Sequence, residues 1–295
     1  MKTDKGDNMK EILSPSEIAE FTVEVGVNKA NMKWWKQFIL GIMAGLFISL
    51  AGNAASVAGY GVSGVGTGKM VSGALFGTGL IMVLLAGAEL FTGNCLVSMA
   101  VLQRKVKAVS MLRNWILVYM GNLAGGVLYT FLMGQTTQMS MDGGAMGAYA
   151  INSAYSKCTM NFIPAFVMGI FCNLLVCIAV WVSYSSKNVV GKIAAMYFPI
   201  WIFVTSGYEH CVANMYYIPM GIFAKLNDTA VDAAYTIYGL DADKLSQVNW
   251  SNFFITNLIP VTLGNILGGV ILVGGVYWLV YLKKDKKAED DIKTN

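Results

Sequence analysis

Apolar runs longer than the roughly 18 residues that a helix needs to cross a bilayer recur along this chain. In hydrocarbon each backbone N–H and C=O must be satisfied within a helix or a closed barrel, so such runs leave few choices of fold. A barrel would read as strands of about ten residues with alternating polarity, whereas the runs here are continuous. The chain is therefore expected to be an all-α integral membrane protein. Spans are placed at 38–59, 70–102, 114–133, 162–184, 193–221 and 253–282. Composition agrees, with 13% charged and 56% hydrophobic residues against about 25% charged in soluble domains.

Six spans put both termini on one side. That side then carries seventeen lysines and arginines, while the other holds only Lys69, Lys157, Lys225 and Lys244. The asymmetry places the termini in the cytoplasm and the chain in the cell's inner (plasma) membrane. Residues 1–37 are mixed and polar, without the apolar core of a signal peptide. From Ser14-Pro15-Ser16-Glu17 to Trp35 they read as a capped amphipathic helix, an N-terminal cytoplasmic element ahead of a channel domain at 38–282 and a tail at 283–295. Loop 220–252, with Asp228, Asp232, Asp241 and Asp243, reads as a solvated external loop. The five cysteines form no CxxC pair, and four fall within spans, so they read as small buried residues.

Two polar interruptions mark the second and fifth spans. Gly87-Ala88-Glu89-Leu90-Phe91-Thr92-Gly93-Asn94 is answered 120 positions later by Gly207-Tyr208-Glu209-His210-Cys211-Val212-Ala213-Asn214, which contains the only histidine. An acid and an imidazole at bilayer depth are costly and usually face a cavity or a substrate path. These spans are expected to be interrupted helices. Glu89 and Glu209 would accept from the released amides, and Asn94 and Asn214 would bridge donors and acceptors.

A second match offsets Asn114 and Gly121-Asn122 to Gly126 by 143 residues, onto Asn257 and Gly264-Asn265 to Gly269. Weaker echoes relate Phe38 and Gly41-Ile42 to Phe166 and Gly169-Ile170 at offset 128. Spans one to three (38–133) thus resemble spans four to six (162–282). With three spans per half, the second copy must be inverted, an arrangement that puts the permeation path near the midplane. The glycine pairs Gly121/Gly125 and Gly264/Gly268 are small-xxx-small patterns suited to close helix contact.

The two interrupted motifs, with Pro219-Met220-Gly221 and Asn257-Leu258-Ile259-Pro260-Val261-Thr262-Leu263-Gly264-Asn265, resemble the formate/nitrite transporter family over about residues 14–283. The resemblance implies an aquaporin-like protomer with helices two and five interrupted, assembled as a homopentamer with a pore in each protomer. It implies transport of small weak-acid anions: formate, nitrite or hydrosulfide. It assigns His210 as the central pore histidine and Thr92 to a cytoplasmic constriction, with Leu90 and Phe91 in the same interrupted segment. Phe76, Leu80 and Phe203 match residues that narrow the pore. Lys157 and Asn173 match residues that shape the field around the histidine.

The chemistry is consistent with these assignments. Desolvating a carboxylate costs several kcal/mol or more, so a bare anion crosses rings such as Phe76, Leu80, Phe91 and Phe203 poorly. Lys157 would draw it inward, and a proton delivered by way of His210 or water would let the neutral acid pass. Three other readings stand beside this one. An aquaporin-like neutral-solute channel fits the layout but lacks an Asn-Pro-Ala pair. A membrane enzyme lacks a metal-ligand cluster or cofactor loop. A purely structural protein would not need paired breaks. No cofactor, metal site, nucleotide motif or nucleic-acid partner is expected.

Overall fold

The structure, a computed structural model, describes residues 12–283. Residues 1–11 and the expected tail from 284 onward lie outside the described residues. Helices α1 (Pro15–Asn31), α2 (Trp34–Gly59), α3 (Val65–Leu85), α4 (Phe91–Leu102), α5 (Ala108–Gly134) and α6 (Ala145–Cys158) make up the first part of the chain. Helices α7 (Phe162–Ser183), α8 (Val189–Ser206), α9 (Cys211–Ala224), α10 (Asp228–Tyr238), α11 (Ala242–Gln247) and α12 (Trp250–Tyr281) complete it. Of these, α2, α3, α5, α7, α8 and α12 are long and apolar enough to cross a membrane, while α4 and α9 are shorter apolar helices. Spans two and five are therefore each a crossing helix, a break and a short second helix.

The N-terminal helix has the expected cap. Ser14 and Glu17 form a reciprocal capping box, with Pro15 in the first turn. The helix stops at Asn31 rather than Trp35, however. Met32 and Lys33 are extended, and the buried Gln37 amide donates to the carbonyls of Lys29 and Met32. These bonds satisfy carbonyls that the helix end would otherwise leave free, and Trp34-Trp35 starts α2.

Two further segments depart from the sequence reading. Loop 220–252 contains α10 and α11, capped by Asn227 and Asp241. Alanines 230, 233 and 234 are buried, and a Cβ at Gly147 of α6 would collide with Ala230. The alanine stripe thus turns an acidic loop into a packed layer. The stretch between spans three and four likewise folds into α6, whose small residues let it lie against α9 and α10.

The glycine motifs set the main helix contacts. A Cβ at Gly41 of α2 would come within 3.1 Å of Gly121 Cα on α5, and one at Gly169 of α7 within 3.3 Å of Gly264 Cα on α12. The same approach is made in both halves. Helix α12 widens into π turns at Phe253–Leu258 and Gly268–Gly275, and α4 tightens into a 3-10 turn at Cys95–Val97.

Candidate functional site: the paired breaks and the cavities between them

Each break begins with a glycine in the left-handed region, Gly87 at φ 80° and Gly207 at φ 73°, a conformation that costs residues with a Cβ about 1–2 kcal/mol. The chain then runs extended through Leu90 and His210 before turning helical again. The freed backbone is claimed by two asparagines. Asn122 Oδ1 accepts from the Phe91 amide (3.0 Å), while its Nδ2 donates to the carbonyls of Gly41 (2.8 Å) and Glu89 (2.9 Å). Asn265 Oδ1 accepts from the Cys211 amide (2.9 Å), and its Nδ2 donates to Gly169 (2.8 Å) and Glu209 (3.0 Å) carbonyls. These six bonds match across the two halves at the offsets read from the sequence.

Contrary to the expectation from sequence, Glu89 and Glu209 do not take the released amides. Their carboxylates are held by lysines: Lys29 Nζ at 2.7 Å from Glu89 and Lys157 Nζ at 2.6 Å from Glu209. Asn94 donates to Glu89 and to Asn114, and Asn214 to Glu209 and Asn257, all within 2.9 Å. Asn114 and Asn257 then donate to the carbonyls of Lys29 and Lys157. A buried acid is costly unless a cation and amide donors surround it, and both acids have such surroundings here. The equivalence of Lys29 and Lys157, at offset 128, extends the repeat backward: α1 and α6 occupy matching places.

Three cavities with shared walls thread the molecule. The first and widest is lined by Lys69, Ser72, Tyr149, Lys157 and Tyr217 among others, and ends on Phe76, Phe203 and His210. Those three also bound a second, much narrower cavity, whose remaining walls are Ile48, Leu80, Leu90, Val176 and Ile200. Leu80 and Leu90 separate it from a third, also narrow, with Lys29, Asn94 and Tyr184 on its walls. Polar vestibules thus flank a middle chamber in which His210 is the one polar side chain among the lining residues. Phe76 and Phe203 meet edge to face with centroids 5.7 Å apart, and Phe203 stacks on the His210 ring at 5.9 Å.

His210 sits at the N-cap of α9, where its Nδ1 accepts from the Ala213 amide at 2.9 Å. Its proton therefore resides on Nε2, which faces Thr92 Oγ1 at 2.9 Å. Thr92 is fully buried, and its carbonyl accepts from the Cys177 thiol.

The remaining expected residues divide between the path and its surroundings. Leu80, Leu90, Phe76, Phe203 and His210 share the middle chamber, and Lys157 and Asn214 line the first vestibule. The Phe91 ring instead packs on Trp115 and Tyr119, at 6.0 and 4.9 Å. Asn173 lies behind the path, donating to the Asn265 carbonyl at 2.7 Å. The structural asparagines Asn122 and Asn265 were visible in the repeat without an assigned role. Lys29 was missed, although it shares its offset from Lys157 with Phe38 and Phe166.

The formate/nitrite transporter family model matches residues 16–279. Formate channel FocA of Escherichia coli (strain K12) is 39% identical over 283 residues, covering 95% of this chain and 99% of the relative. A probable formate transporter of Methanothermobacter thermautotrophicus is 35% identical over 289 residues, covering 92% of this chain and 98% of that relative. A solved pentameric formate channel with formate bound superposes with a TM-score of 0.74 at 38% identity, covering 85% of this chain and 98% of that one.

Proposed function

The chain belongs to the formate/nitrite transporter family, and from that premise we propose that it is a homopentameric membrane channel for small weak-acid anions, with formate as its principal substrate. The observation that carries this reading is the sequence of cavities, with two polar vestibules meeting an apolar chamber that holds a single imidazole. The FocA relatives and the formate-bound pentamer support the choice of formate and of five-fold assembly. The lysine and arginine distribution supports a multi-pass chain with both termini in the cytoplasm and residence in the inner membrane.

In this mechanism the anion loses water on reaching Phe76 and Phe203. A charge is poorly tolerated in a chamber walled by Leu80, Leu90, Ile48, Val176 and Ile200, so the carboxylate's affinity for a proton rises there. The anion takes up one proton that comes from water of the first vestibule, directly or by way of His210, crosses as the neutral acid and returns the proton to water in the far vestibule. His210 presents its Nε2 proton next to the Thr92 hydroxyl, and the Ala213 cap keeps the ring in that tautomer. Asn173 and Asn265 hold the segment that carries the histidine. The ion-paired lysines keep Glu89 and Glu209 from repelling an anion on its way.

The test is stopped-flow flux in proteoliposomes loaded with a pH-sensitive dye. Formate, nitrite and hydrosulfide gradients are compared for the native chain and His210→Asn. Formate influx should acidify the lumen, and the variant should lose the pH response of the rate. Permeation of water or glycerol with no weak-acid flux would overturn the reading. Unchanged flux and pH response in the variant would remove the histidine from it.

A further inference from the structure

We propose that Lys69, rather than Lys157, is the cation that gathers the anion in the first vestibule. The inference rests on the channel reading above and deepens it. Both lysines line that cavity, but their surroundings differ. The Lys157 ammonium is 2.6 Å from Glu209 Oε1 and 5.5 Å from the centre of the Tyr217 ring. Its charge is balanced within the protein and reaches the cavity as the field of a dipole. Among the described residues the Lys69 ammonium has no ion-pair or hydrogen-bond partner. It contributes a full unit charge.

Its place along the path is equally specific. A Cβ built on Gly207 would lie 2.7 Å from Lys69 Nζ. The ammonium therefore rests over the glycine that opens the break, three residues before His210. Hydroxyl groups of Ser153 and Tyr149 line the same cavity and can take part in solvating an anion held there, whereas the Ser72 hydroxyl donates to the Ala55 carbonyl. The third cavity offers no equivalent, because Lys29, its one lysine, is bound to Glu89 and Asn94. A cleft with one uncompensated charge and low-dielectric walls concentrates counter-ions at its mouth. Lys69 is exposed, so salt screens its effect over about 10 Å at 0.1 M.

The test measures formate permeability in proteoliposomes against ionic strength for the native chain, Lys69→Gln, Lys69→Arg and Lys69→Cys. Lys69→Gln should lower permeability by roughly threefold to tenfold at low salt and converge with the native chain as salt rises. Lys69→Arg should retain the native behaviour. The native cysteines are all buried, which favours selective labelling of the exposed cysteine in Lys69→Cys. A cationic methanethiosulfonate should restore flux in that variant, and an anionic one should depress it further. Equal responses to the two reagents, or a loss in Lys69→Gln that salt does not alter, would overturn the proposal in a protein that still conducts formate. Absence of weak-acid flux in the native chain would instead refute the channel reading on which it stands.

Discussion

The His210 ring is fixed by two hydrogen bonds of the same length. The Ala213 amide occupies Nδ1 and Thr92 faces Nε2, each at 2.9 Å, so the residue that can respond to a proton is held in one orientation and one tautomer. Thr92→Val removes the hydroxyl with little change in volume. Formate flux should fall by roughly a hundredfold or more, the usual scale of a lost proton-transfer partner, while Thr92→Ser keeps most of it. Equal flux in the valine variant would show that the pair only packs. Gly207→Ala is a different kind of change, since φ is 73° there and Lys69 Nζ fills the space of a Cβ. It should cost about 1–2 kcal/mol of stability from backbone strain alone, read as a lower melting temperature in detergent, and should also perturb flux by displacing the ammonium.

The two interrupted helices are held at the scale of elements by a repeated arrangement of asparagines. Asn265→Ala would strand the Cys211 amide and the Glu209 carbonyl in the break and remove the second donor to the helical Gly169 carbonyl. At about 1–3 kcal/mol for each buried group left unpaired, thermal melting should show a large loss. Asn122→Ala should cost a similar amount, because its three partners are equivalent. A markedly smaller loss at one site would mean that water replaces the asparagine there. The Lys29–Glu89 pair makes a second comparison. Lys29→Met leaves Glu89, 4% exposed, without its cation, and this should destabilise more than the double change Lys29→Met with Glu89→Gln. If the double variant melts no higher than the single one, the lysine contributes by packing its stem rather than by charge.

Over the whole molecule, the outer surface carries large apolar side chains such as Phe198, Ile202, Ile255 and Ile271, as expected of faces that meet lipid or neighbouring protomers. Native mass spectrometry from a mild detergent should give a particle close to five times the 31.9 kDa chain. A monomer that conducts at the full rate would separate assembly from transport. The order of cavities is also a property of the whole. Phe76 comes from α3, Leu90 from the first break, and Phe203 and His210 from the end of α8 and the second break, so no single element contains the path.

The sequence by itself determined the helical membrane class, the six crossings, the interruption of helices two and five and the two-part repeat. Each follows from a local signal: continuous apolar length, a polar residue too costly for lipid, or glycines recurring at a fixed offset. His210 and Leu90 could be named from the interrupted motifs, whereas Phe76, Leu80 and Phe203 came only with the family resemblance. What the tertiary structure decided was who meets whom. Asn122 and Asn265, rather than the glutamates, take the freed amides, because only they reach the break from a facing helix. Phe91 turns to Trp115 and Tyr119, since the helix it opens has one face toward the path and another toward α5. Lys157 is compensated and Lys69 is not, a difference set by distances across the fold that neither residue's neighbours in the chain reveal. The alanine stripe of α10 shows the same limit at the level of an element. Its burial depends on α6 lying against it, and burial of a small residue is a property of the pair of surfaces rather than of the segment that carries it.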